Sequence, residues 1–378
     1  MSKEVRISTA ALLAVAGLSG EAIATEKQQV LYGSSSQPSF VGPDDKFTGD
    51  VSVQMAFPGQ DDVPYSGAYV TFEPGARTAW HDHPAGQHMI VTKGTAITAT
   101  RDGQVIEFHE GEAVWCPEDV DHWHGATPNS SMTHFVVTAS KGDENVRWKE
   151  KVTDEQYHAA LAATQHHHSH AHYDAISERY QHLTLVAAFA ASDDLGSLKV
   201  AINQALDHGT TINELKEALV HLYPYGGFPK SLNALGTLMS VVDTRKAEGK
   251  TDAVGDEPNE LPEDSLTLGT EVQTELVGQP VAGPLFDFAP VANTFLQKHL
   301  FGDVFARGIL NNQDREMLTV AILASMSGTD PQLRSHINMA MNTGITQQEL
   351  SVLADYLGHT TTRTVGQRIA DAIEATSK

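Results

Sequence analysis

The chain has 378 residues, 40% of them hydrophobic, enough for ordinary packed cores, and at roughly 100–200 residues per domain it holds two or three domains. Lys and Arg number 25 against 48 Asp and Glu, a formal charge of -23, so the surface repels nucleic acid and anionic lipid and excludes both as partners. The lone cysteine, Cys116, excludes an intrachain disulfide, a CxxC redox pair and a cysteine-rich zinc site.

Residues 1–24 read as an export signal. Lys3 and Arg6 give a basic start, residues 7–20 are apolar and small, and Ala22-Ile23-Ala24 fits a cleavage site. The apolar run is too short, and too rich in Ala, Gly and Ser, to span a bilayer. On this reading the mature chain is periplasmic or secreted and inserts nothing into a membrane. Glu4, inside the basic region, leaves a cytoplasmic protein with a disordered N-terminal arm as the alternative. A lead segment, 25–45, follows.

Residues 46–152 are predicted all-β. Short alternating runs such as Tyr69-Val70-Thr71-Phe72 and Met89-Ile90-Val91 are separated by Gly, Pro and Asp turns, the texture of a sandwich or small barrel. At Thr153 the texture changes. Thr153-Asp154-Glu155-Gln156 is a capping box opening a helical linker, 153–172, that carries a histidine-rich tract at 166–172. That tract either binds metal or is a solvated linker.

The remainder is predicted helical in two units, 173–245 and 265–378, joined by a charged linker at 246–264 that is rich in Pro and Gly. The units repeat. The offset that aligns Leu183-Thr184 with Leu318-Thr319 also aligns Leu198 with Leu333, Asn203 with Asn338, Ala205 with Ala340 and Gly209 with Gly344, without a gap. Gly209 and Gly344 fit left-handed helix stops. Thr211-Ile212-Asn213-Glu214 and Thr346-Gln347-Gln348-Glu349 are capping boxes that open the next helices. The fold class is therefore a small β-barrel followed by an all-α region of two repeated units, able to pack as a pseudo-symmetric bundle.

The histidines carry the chemistry. His81 and His83 are two apart, which on a strand puts both imidazoles on one face. Gln87 follows, then Gly94; a second segment runs from Gly111 through Pro117 to His122. This two-part spacing resembles the cupin motifs G-x5-H-x-H-x3,4-E-x6-G and G-x5-P-x-G-x2-H. Gln87 stands where most cupins have Glu, and Asp119 where the motif has Gly. The resemblance implies His81, His83, Gln87 and His122 as ligands of one divalent transition metal. Imidazole suits Mn, Fe, Zn and Ni. All four donors are neutral, so the ion keeps its full charge as a Lewis acid and leaves positions open for substrate.

His124 shares a strand face with His122, and His134 lies on a strand whose inward set is Met132, His134 and Val136. Each is a general-base candidate or a core histidine. His88 alternates with Gln87 and is expected to point outward; His109 is expected at the surface. Thr71-Phe72-Glu73-Pro74-Gly75-Ala76-Arg77-Thr78-Ala79-Trp80-His81, Gly86-Gln87, His122-Trp123-His124-Gly125-Ala126 and Met132-Thr133-His134 resemble the small bacterial cupins that include manganese-dependent hydroxynitrile lyases. That resemblance favours manganese and makes His134 the candidate base acting on a cyanohydrin hydroxyl.

In the helical half, Arg315-Glu316-Met317 followed by His336-Ile337-Asn338-Met339-Ala340-Met341-Asn342-Thr343-Gly344 resembles the carboxymuconolactone decarboxylase family. So do Tyr225-Gly226-Gly227-Phe228-Pro229 and Asn233-Ala234 in the first unit. The units depart in complementary ways. The second keeps Glu316 and His336 but lacks the tyrosine segment; the first keeps that segment but has Gln181 and Ala201 in place of the acid and the base. One composite site with Glu316 and His336 as acid–base pair, or a purely structural role, fits this pattern. Both resemblances imply a homo-oligomer.

The leading expectation is a metal-dependent lyase of a small organic substrate, with cyanohydrin cleavage as one concrete version. The alternatives are a decarboxylase-type activity in the helical half and a non-enzymatic oligomer that binds metal or a small ligand.

Overall fold

The computed structural model describes residues 29–60, 64–165 and 173–376. The export signal and the histidine tract at 166–172 lie outside the described residues.

The N-terminal part is a curled β-sheet that forms a half-barrel. Its strands are β1 (Ser39–Val41), β2 (Phe47–Thr48), β3 (Val51–Phe57), β4 (Tyr65–Phe72), β5 (Arg77–Thr78), β6 (His81–Asp82), β7 (Gln87–Thr100), β8 (Val105–His109), β9 (Ala113–Cys116), β10 (His122–Ala126), β11 (Met132–Ala139) and β12 (Arg147–Trp148). The main path runs β1-β3-β4-β11-β7-β10-β5-β2. The sheet therefore begins within the lead segment, because β1 pairs with β3 through Phe40 and Val53.

The long strand β7 belongs to both faces. Its first part pairs with β11 and β9, its second with β10 and β8. Gly94 makes the passage: its φ is 77°, and a Cβ there would lie 2.2 Å from the Ser131 carbonyl oxygen. Only glycine fits so close an approach in the left-handed region.

Alternation decides what each strand faces. Val70, Phe72, Met89, Val91, Met132 and Val136 pack in one cluster inside the barrel. Trp80, Ile97, Ala99 and Trp123 point the other way and are covered by Tyr157 and Ala160 of α1 (Asp154–Gln165). The Thr153 box forms: Gln156 N–H donates to the Thr153 hydroxyl at 3.2 Å and Thr153 N–H to the Gln156 side chain at 3.0 Å.

The first unit comprises α2 (Glu178–Ala191), α3 (Leu195–Asp207), α4 (Ile212–His221) and α5 (Tyr223–Ala247). The second comprises α6 (Ser265–Val277), α7 (Pro284–Phe288), α8 (Pro290–Phe295), a π-helical stretch at Leu296–Val304, α9 (Asn312–Ala324), α10 (Asp330–Asn342), α11 (Gln347–Thr360) and α12 (Arg363–Thr376). Gly209 and Gly344 have φ of 86° and 99°, and Thr211 and Thr346 both close capping boxes. One hydrophobic core draws on both units, with Leu183, Leu198 and Leu215 beside their counterparts Leu318, Leu333 and Leu350. The two units are thus one bundle.

The charged linker has no helix or strand over 250–262, yet it is tied down. Arg245 pairs with Asp252, and Asn213 donates to the Asp256 carbonyl at 2.9 Å. Barrel and bundle meet at Asp194, the cap of α3, whose carboxylate accepts from the Ser131 hydroxyl at 2.6 Å.

Candidate metal centre and candidate acid–base site

In the barrel, β6 and β10 run antiparallel with His81 opposite His122. His83 follows β6, and Gln87 opens β7. All four side chains are buried. One ring nitrogen from each of His81, His83 and His122 lies within 4.8 Å of the other two.

The other ring nitrogens are spoken for by carbonyls. His81 Nδ1 is 3.0 Å from the Ala79 oxygen and His122 Nδ1 is 3.0 Å from the Val120 oxygen, the same two-residue device on both ligand loops. His83 Nδ1 is 2.6 Å from the Asn145 oxygen. A carbonyl can only accept, so each Nδ1 carries the hydrogen and each Nε2 presents a lone pair.

Gln87 Nε2 donates to the Thr138 hydroxyl at 2.7 Å, leaving Oε1 without a partner beside His83. The Nε2 atoms of His83 and His122 are likewise buried with no protein partner. A buried unpaired polar atom costs about 1–3 kcal/mol, and several in one place mark a site built for something else to bind. Three imidazole nitrogens and an amide oxygen suit a divalent transition metal.

Electrostatics agree. Burial lowers all three imidazoles: His81 well below the usual range, helped by its neighbours His122 and His83; His83 to a lesser degree; His122 to about 4. They are neutral at ordinary pH, the state that metal ligation needs.

His124 and His134 are buried beside them. Their rings are 4.8 Å apart, and the His124 ring is 5.1 Å from that of His81. Phe72 sets its edge against both. His134 is fully buried, and neither of its nitrogens has a partner; His124 Nδ1 has none either. Burial lowers His134 to about 3 and His124 well below its usual range. A cavity of about 370 Å³ lined by Thr98, Ile106, Val114, Cys116 and His122 opens between β8 and β9.

Three neighbours of the site refine the expectations. His88 is exposed and packs on Trp115 at 4.5 Å. The Cys116 thiol is packed in the barrel core and burial pushes it up to about 12, so it is no nucleophile. His109 is not at the surface: it is buried, with Nδ1 3.2 Å from the Thr95 hydroxyl and Nε2 3.4 Å from Glu107. Its place on the last residue of β8 turns it against β7, which the acidic neighbours in sequence conceal.

Sequence reasoning missed the Asn145 carbonyl, Thr138 and Trp148, whose ring is 4.9 Å from that of His81. A backbone carbonyl leaves no signature in a sequence. Thr138 is two strand pairs from His134 on the same inward face, a signal that alternation carries.

In the bundle, Glu316 on α9 and His336 on α10 meet at 2.7 Å through His336 Nδ1. The first unit completes the surroundings. The Tyr225 ring is 5.6 Å from that of His336, and its hydroxyl is 3.2 Å from that of Thr319. His221 Nε2 lies 2.9 Å from the Thr319 hydroxyl. Arg315, fully buried, donates to Glu217 at 2.9 Å. At the mirror position Gln181 donates to the Ile176 carbonyl and Ala201 is packed in the core. Acid and base thus come from one unit and the tyrosine from the other.

The cupin domain model matches residues 68–138, and the carboxymuconolactone decarboxylase family model matches 157–238 and 290–362. An (R)-mandelonitrile lyase of Granulicella tundricola is 48% identical over 122 residues, which are 32% of this chain and 93% of that protein. A 4-carboxymuconolactone decarboxylase of Acinetobacter baylyi is 32% identical over 89 residues, 22% of this chain and 66% of that protein. Among solved structures, a cupin-like protein of Thermotoga maritima is 37% identical, with a TM-score of 0.30 over 32% of this chain and 91% of that one.

Proposed function

The chain belongs to the cupin family, with two carboxymuconolactone decarboxylase-family domains behind the barrel, and on that premise we propose that its barrel is a metal-dependent lyase of small organic molecules. Cleavage of a cyanohydrin into an aldehyde and hydrogen cyanide is its first candidate reaction. The observation that carries the reading is the set of buried, unpartnered donors: His83 Nε2, His122 Nε2, Gln87 Oε1 and both nitrogens of His134. The 48% identity to a mandelonitrile lyase over the barrel supports the same reading.

His81, His83, Gln87 and His122 would hold the ion, manganese first, with iron, zinc and nickel also suited to the donors. Bound there, it would supply Lewis acidity toward a substrate oxygen. His134 is neutral and has a free lone pair, so it takes the hydroxyl proton. The C–CN bond breaks with its electron pair on cyanide while the oxygen closes the carbonyl. An imidazolium is disfavoured in so buried a place, so His134 returns the proton to the cyanide beside it. His124 packs against His134 and holds its ring in place. The test is aldehyde release from mandelonitrile by metal-loaded protein across mildly acidic to neutral pH. Release lost in His134→Ala supports the reading; no release at any of these values removes the cyanohydrin version.

A second reading rests on the Glu316–His336 pair. Glu316 Oε1 is buried without a partner, and Tyr225 faces the pair from the other unit, an arrangement suited to proton transfer on an acidic substrate. If turnover resides there, Glu316→Gln and His336→Asn abolish it while metal content stays normal.

A further inference from the structure

We propose that residues 144–150, which supply no ligand, set the geometry of the metal centre, with Asp82 as the hub through which they act. The proposal rests on the reading of His81, His83, Gln87 and His122 as a metal site.

The segment touches two of the three clustered histidines directly. The Asn145 carbonyl fixes His83. Trp148 lies against the His81 ring and pairs with His81 across the sheet, while Arg147 pairs with Asp82. The Trp80 backbone is clamped on both sides, accepting from Lys149 N–H at 2.8 Å and donating to the Glu150 carbonyl at 2.9 Å.

The side chains then join the two ligand loops. Asp82 stands between His81 and His83 and is only 4% exposed. It pairs with Arg147 at 3.2 Å and with Lys149 at 2.9 Å. The same two cations reach the loop before His122: Arg147 pairs with Asp119 at 2.8 Å, and Lys149 pairs with Asp121. Each cation therefore bridges the loop carrying His81 and His83 to the loop carrying His122. Glu144 and Arg101 complete the network, on Arg147 and on Asp121 respectively.

Asp119 adds a second, independent sign. It occupies the position where the cupin motif has glycine, and its φ is 58°. Aspartate tolerates the left-handed region better than most residues but not freely. Its carboxylate gives what glycine could not, an anchor for Arg147. The departure from the motif and the cation facing it make one device.

Exposed ion pairs alone contribute little. Here the hub is buried, so a lost partner leaves an uncompensated carboxylate next to two ligands. The residues are positioning residues: they touch neither the ion nor a substrate, and they act by holding three imidazoles where one ion can meet them all.

The test is the Mn(II) dissociation constant of the full-length protein, measured by chelator competition, with the spectrum of bound Mn(II) recorded by electron paramagnetic resonance. Asp82→Asn and the double variant Arg147→Met/Lys149→Met are expected to bind about 10-fold or more weakly, with altered spectra. Lys149→Arg, which keeps the bridge, is expected to restore wild-type affinity. Arg363→Met, which breaks the distant Arg363–Glu112 pair, leaves it unchanged. A merely structural strap would lower the melting temperature and leave the affinity and spectrum of the folded fraction as they were. Affinities within about twofold of wild type in both hub variants overturn the inference. Should Asp82→Asn not fold, the double variant decides, since both its side chains are a third or more exposed. Wild type that takes up no Mn(II) overturns the metal reading and this inference together; wild-type uptake with unchanged variants overturns the inference alone.

Discussion

Barrel and bundle each bury a group of ionisable side chains, and they satisfy them to different degrees. In the bundle most of the groups pair with one another, Glu316 with His336, Arg315 with Glu217 and His221 with Thr319, and only single atoms such as Glu316 Oε1 and Arg315 Nε are left over. In the barrel the imidazoles of His81, His83 and His122 are fixed from behind by carbonyls, and the inner nitrogens of His83 and His122 are left over. A network of buried pairs stabilises a fold to the extent that its members are satisfied. An open set of neutral donors costs stability until something binds. The two regions therefore differ in how they are completed: by internal pairs in one, and in the other, on the proposed reading, by a bound ion.

That contrast can be broken. The largest expected effect is in the bundle. Glu217→Gln leaves the fully buried Arg315 without a counter-charge, and breaking a buried pair from one side costs about 3–5 kcal/mol. Denaturant unfolding should show that loss, with metal content unchanged. A loss of metal as well would mean the halves do not act separately.

Acid should strike the metal-free barrel next. His122 titrates near the usual 6.5 when unfolded and at about 4 when folded. Its folded value is lowered, so the stabilisation is complete above pH 6.5 and is lost as pH falls through 4. The loss from this group alone is about 3 kcal/mol. Unfolding of apo protein followed between these limits checks it, and bound metal should shift the loss to lower pH because protons and ion compete for the same nitrogens.

The smallest effect sharpens the comparison within the bundle. Thr211→Ala and Thr346→Ala each remove one capping box and should each cost about 1 kcal/mol. Unequal losses would mean that the two units, alike in sequence, are unequal in the stability they lend the core.

The sequence made local arrangements legible and distant ones obscure. His81, His83 and His122 could be grouped because two short spacings carry them. The capping boxes and left-handed glycines were readable because each is a matter of three or four neighbouring residues. Alternation alone turned His134 inward. His109 was misplaced because Glu107 and Glu110 beside it suggest a solvated strand end, whereas β7 covers it. The clamp by Asn145 and Trp148 was invisible: it comes from a segment at least 62 residues further along the chain, partly through a backbone oxygen. The complementary losses in the two helical units hinted at a shared site, but only packing brings Tyr225 to His336.

The most direct test of the central claim is elemental analysis of purified wild type beside a His81→Ala/His83→Ala variant. About one manganese, iron, zinc or nickel ion per chain in wild type, absent from the variant, is the expected result. Wild type without stoichiometric metal, even after growth and purification with added manganese, would contradict it and shift attention to Glu316 and His336.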